Sequence, residues 1–67
     1  MTAKALSKKT TKSVGLRAKP NKTSKAIRTL QAGDQLEVIA EGKTWFQVMD
    51  PETEKTGFVA KDYMDRI

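Results

Sequence analysis

Apolar residues fall in short runs separated by polar, punctuated stretches. Val14 and Leu16 alternate with Gly15 and Arg17, the period-two signature of a short strand. Pro20 cannot donate to a ladder, so pairing ends before it; residues 18–26 (AKPNKTSKA) read as a surface loop with a turn at Pro20-Asn21. Ile27 and Leu30 bracket a second brief apolar stretch, and Ala32-Gly33-Asp34 is a turn signal. Leu36, Val38 and Ala40 then alternate with Gln35, Glu37 and Ile39, the clearest strand pattern in the chain. Glu41-Gly42-Lys43 predicts a hairpin turn leading into a strand from Trp45 to Met49. Asp50-Pro51-Glu52-Thr53-Glu54 is a polar turn, Thr56–Val59 a further strand, and Tyr63-Met64 a terminal strand fragment. No stretch sustains the three-and-four spacing of an amphipathic helix. Strand-like runs every eight to twelve residues or so point instead to an all-β fold, a small, strongly bent barrel.

Period two also assigns faces. Phe46 and Val48 share one side of their strand, opposite Trp45, Gln47 and Met49; Gly57 and Val59 oppose Thr56 and Phe58. The predicted core is Val14, Leu16, Ile27, Leu30, Leu36, Val38, Phe46, Val48 and Val59. Residues 1–12 (MTAKALSKKTTK) offer almost nothing to bury, so they are expected to form a flexible, solvated basic arm ahead of a barrel domain spanning 13–67.

Composition narrows the function classes. The 67 residues suffice for one small domain. There is no Cys and no His, which excludes disulfides, Cys/His zinc sites, thiol nucleophiles and imidazole acid–base chemistry. No G-x-G-x-x-G or phosphate-binding loop is present, and Asp50–Glu54 lacks the spacing of an EF-hand loop. An enzyme, a metal and a cofactor are therefore not expected. No apolar run approaches the ~20 residues of a membrane span. Nor does the lysine-rich N-terminus carry the ~7–15-residue apolar run of a secretory signal. The expected location is cytoplasmic for the chain as given, and extracytoplasmic if it is a piece of an exported protein.

The net charge of +5 is unevenly placed. Residues 1–28 hold nine Lys/Arg and no acid; residues 29–67 hold four against eight Asp/Glu. A basic half joined to an acidic half suggests an anionic partner or a solvated tail. Nucleic acid is the alternative partner on this ground, with the weakness that the later strands are not basic.

Several of the segments above, taken in order, resemble a bacterial SH3-type (Src-homology-3-like) domain. They are V-G-L-R at Val14–Arg17, Pro20, Ile27, T-L at Thr29-Leu30, A-G-D-Q-L-E-V at Ala32–Val38, W-F-Q-V at Trp45–Val48, T-G-F-V at Thr56–Val59 and Tyr63-Met64. Phe58 stands where the family's glycine–tryptophan–valine strand has its tryptophan. Gly15, Lys19 and Arg28 replace a frequent Asn, Gly and Gly. The resemblance implies a five-to-six-stranded SH3-like barrel and a binding role without catalysis, either attachment to peptidoglycan or protein–protein contact.

The candidate ligand-binding residues follow from faces and charge. Trp45 and Phe58 fall on the face opposite Phe46 and Val59, where their rings, with Tyr63, can receive an extended chain. Trp45 is equally placed to cover Gly57 and close the end of a small core. Arg17, Lys19, Asn21 and Arg28, with Lys22 and Lys25, form a basic rim beside them, suited to carboxylates or phosphates. The expected partner is a peptide or protein segment, a peptidoglycan peptide in an exported setting. Open edge strands leave a monomer or a weak dimer as the expected state.

Overall fold

A computed structural model describes residues 6–66. Seven strands and one 3-10 turn follow in order: β1 (Leu6–Thr10), β2 (Val14–Arg17), β3 (Ala26–Leu30), β4 (Gln35–Glu41), β5 (Trp45–Met49), β6 (Thr56–Ala60), the turn Lys61–Tyr63, and β7 (Met64–Arg66). They form one antiparallel sheet in the order β3-β2-β6-β5-β4-β1-β7. The all-β expectation holds, with seven strands where five to six were expected. The row of pairings runs from β3 at one edge to β7 at the other without closing into a ring among the described residues.

The central hairpin β5–β6 matches the predicted faces. Phe46 pairs with Val59 and Val48 with Gly57, all four buried; Trp45, Gln47, Met49 and Phe58 on the other face are half-buried. The core is Leu16, Leu30, Leu36, Phe46, Val48 and Val59, with Val14, Ile27, Val38, Tyr63 and Met64 packed against it. Every predicted core residue is therefore in it or against it.

The alternation of β4 stops at Val38. A bulge between Val38 and Ala40 leaves Ile39 unpaired and 48% exposed. Ahead of β4, Gly33 sits at φ +88, and the Asp34 N–H donates to the Gln31 carbonyl at 3.1 Å. That is the pattern of a type II turn, which needs positive φ at its third residue. Gly57 is small for a different reason than Trp45: a Cβ there would stand 2.7 Å from Leu16 Cγ and 2.8 Å from the Arg17 carbonyl oxygen. The close neighbour is the β2 backbone and Leu16, while Trp45 pairs with Ala60.

The arm expected over residues 1–12 is corrected in its second half. Leu6–Thr10 is a strand inserted between β4 and β7, with Lys8 opposite both Leu36 and Arg66; residues 1–5 lie outside the described residues. Its pairing is carried by the backbone, which leaves no mark on a hydrophobicity pattern. Thr10 locks its end. It is 1% exposed, and its Oγ1 donates to the Gln31 carbonyl at 2.6 Å. Its N–H donates to the Asp34 carbonyl, and its own carbonyl accepts from the Gly33 N–H. Thr11 N–H then donates to the Tyr63 carbonyl at 2.9 Å, tying the strand to the 3-10 turn.

Candidate functional site

Trp45 opens β5 directly after the β4–β5 turn, where the Gly42 N–H donates to its carbonyl at 2.8 Å and the Lys61 N–H to the Thr44 carbonyl at 2.9 Å. The indole thus projects from a hydrogen-bonded corner, on the face away from the core. It forms the shared wall of two clefts. One, of about 240 Å³, is lined by Gly15, Arg17, Lys22, Trp45, Ala60 and Tyr63. The other, of about 220 Å³, is lined by Pro20, Ala40, Glu41, Trp45, Gln47 and Phe58. Phe58 is cross-strand partner to Gln47 on one side and Arg17 on the other, so it sits diagonally from Trp45 on the same face.

The loop between β2 and β3 borders both clefts, supplying Lys22 to the first and Pro20 to the second. Its shape is held by its own polar groups. Arg17 Nη1 donates to the Ser24 carbonyl at 2.8 Å, and the Ala18 N–H to the Lys25 carbonyl at 2.9 Å. Ser24 Oγ lies 3.0 Å from the carbonyl oxygens of both Lys19 and Asn21, within donating reach of either. Thr23 Oγ1 donates to Asn21 Oδ1 at 3.1 Å. Asn21 and Lys19 therefore build the loop, and neither lines the clefts.

Arg28 lies elsewhere. Its guanidinium donates to Asp50 Oδ2 and stands 3.7 Å from Glu52, beside a separate polar cleft that also holds Asp34 and Gln35. Asp50 is 3% exposed, and its other carboxylate oxygen accepts from the Glu52 N–H at 2.9 Å. A buried carboxylate on the β5–β6 loop costs stability unless it is paired and hydrogen-bonded, and Arg28 from β3 and the Glu52 N–H supply its partners. Of the seven predicted site residues, Trp45, Tyr63 and Arg17 share one cleft and Trp45 and Phe58 the other; Lys19, Asn21 and Arg28 serve the scaffold. Lys22 of the predicted basic rim lines the first cleft, and Pro20 and Gln47, not predicted for the site, line the second. The sequence marked Pro20 as the end of a strand and the start of a turn, and only the folded loop brings it to the cleft.

Further cations are spent on aromatic faces. Lys12 Nζ stands 4.4 Å from the Tyr63 ring centroid; Lys8 and Lys61 stand 5.2 and 5.3 Å from that of Phe46. Lys61 also bonds Glu41 at 2.6 Å, which, with the attraction of the same ammonium, holds the Glu41 carboxyl below the usual carboxylate range. Among the described residues no group of acids is placed to hold a metal ion, and no helix is long and apolar enough to cross a membrane.

A family model described as a bacterial SH3 domain matches residues 12–65. Neither the curated proteins nor the solved structures hold a match to the chain.

Proposed function

The chain belongs to the bacterial SH3 domain family, and from that membership we propose that it binds an extended peptide or protein segment across Trp45. Binding without catalysis is the usual work of this family. The observation that carries the reading is the position of the indole: one rigid aromatic wall serves two clefts on the outer face of the sheet. An extended chain alternates its side chains, so successive contacts fall to either side of such a wall. The ring offers large apolar area with two torsions to freeze, and Phe58 and Tyr63 extend it in opposite directions. Two clefts of this size take one or two residues each, so affinity is modest. Where the chain is part of an exported protein, a peptidoglycan peptide is the ligand; in the cytoplasm it is a segment of another protein.

Among the described residues, three cations are turned to partners within the fold, which speaks against a stripe for nucleic acid. Arg28 faces Asp50 and Glu52, and Lys8 and Lys61 lie over Phe46 at the other end of β5.

Isothermal titration of soluble muropeptides into the wild-type protein and into Trp45→Ala tests this reading. Saturable heat that disappears in the variant, with the fold retained, is the expected result. Undiminished binding to Trp45→Ala would remove the groove.

A further inference from the structure

The two clefts at Trp45 differ in chemistry. The first places Arg17 and Lys22 around its aromatic wall, and no carboxylate among the described residues lines it. Lys12 Nζ lies over the ring of Tyr63, another residue that lines this cleft. The second is built largely from Pro20, Ala40, Trp45 and Phe58, and its charged side chain, Glu41, is already matched by Lys61 at 2.6 Å. One side of the indole is cationic and the other apolar.

Resting on the groove reading above, we propose that the ligand is a peptide with an acidic side chain next to apolar residues. The carboxylate lies between Arg17 and Lys22, and the apolar part crosses Trp45 to Phe58 and Pro20. Arg17 suits this role because its bond from Nη1 to the Ser24 carbonyl fixes the guanidinium while leaving further donors of the fork for a carboxylate. Preorganisation of this kind lowers the ordering cost of binding. The anion is a side-chain carboxylate within a chain. Capture of a terminal carboxylate relies on a nest of backbone N–H groups, whereas the cations that line this cleft, Arg17 and Lys22, are on side chains. A nucleic acid, anionic at every residue, would set phosphates against the apolar cleft as well. The arrangement therefore assigns the acidic and apolar parts of the ligand to opposite sides of the indole.

The test uses the emission of Trp45, the only tryptophan. Two acetylated and amidated peptides are titrated, one with a glutamate followed by two leucines, the other its glutamine twin. At low salt the glutamate peptide is expected to bind about fivefold more tightly, the effect of two partly exposed ion pairs. The preference should fall below about twofold at ~0.5 M salt. Arg17→Gln and Lys22→Gln should each bring the two peptides closer together, by weakening the glutamate peptide more than the glutamine peptide. Lys22 is exposed on the loop, so its variant tests the proposal even if Arg17→Gln disturbs the fold. Equal affinities, or a preference untouched in both variants, would overturn the anionic assignment and leave the groove standing. No response of Trp45 to either peptide up to ~10 mM would remove both.

Discussion

Gly57 shows how narrowly one position in the β5–β6 hairpin is determined. A methyl group there would meet the carbonyl oxygen of Arg17 at 2.8 Å, and a backbone atom inside a paired strand cannot move aside as a flexible side chain would. Gly57→Ala should therefore destabilise the fold by about 1–3 kcal/mol, the usual cost of overpacking a tight site, measured by denaturant unfolding. Gly33 differs: nothing stands within 4 Å of the added Cβ, and only its positive φ opposes the change. Gly33→Ala should cost about 1 kcal/mol through backbone strain alone. Sequence pattern singled out both glycines, and it gave the right reason for Gly33. The wrong neighbour was assigned to Gly57 because alternation places Leu16 in the core without showing that β2 crosses so close to β6.

Among the elements, β1 was the least legible and the hairpin β5–β6 the most. Large alternating residues betray a strand whose one face is buried, as in W-F-Q-V and T-G-F-V. L-S-K-K-T has no such alternation, yet it is held between two neighbours by main-chain bonds and by one buried hydroxyl. Thr10→Val keeps the shape and strand preference and removes the bond to Gln31. It should cost about 1 kcal/mol. Hydrogen exchange should speed up at the Thr10 and Gly33 amides before it does in β5. Unchanged exchange there would mean that the hydroxyl does not hold the strand.

The link between the end of β4 and the 3-10 turn is electrostatic and depends on pH. Glu41 is held below its ordinary value chiefly by the hydrogen bond and charge of Lys61. Its ion pair is complete above the ordinary carboxylate range and is lost as the pH falls through the lowered folded-state value. Carbon-detected NMR titration should find Glu41 titrating below that range, and Lys61→Gln should move it upward. A Glu41 titration unaffected by Lys61→Gln would contradict the pair. Because Glu41 is exposed, the effect on overall stability should be small.

At the scale of the whole molecule, the charge asymmetry of the chain is redistributed by folding. Sequence placed nine cations in the first 28 residues and suggested one basic rim beside the aromatic groove. Of these, the sheet sends Arg28 to Asp50, Lys8 to Phe46 and Lys12 to Tyr63, while Arg17 and Lys22 line the groove. Which cations would be matched depended on which strands became neighbours, and that is a long-range property no local window carries. The aromatic part was more readable, because period two placed Trp45 and Phe58 on the outer face whatever the register.

The central claim is that a ligand lies across Trp45, with contacts on both sides of the indole. Mapping amide and indole N–H chemical shifts of the labelled protein against a bound muropeptide or acidic peptide addresses it most directly. The largest shifts should fall on the Trp45 indole, Gly15, Lys22 and Tyr63 on one side and Gln47 and Phe58 on the other. Shifts centred on Arg28 and Asp50, or on Phe46 and Lys61, with the indole unmoved, would contradict it.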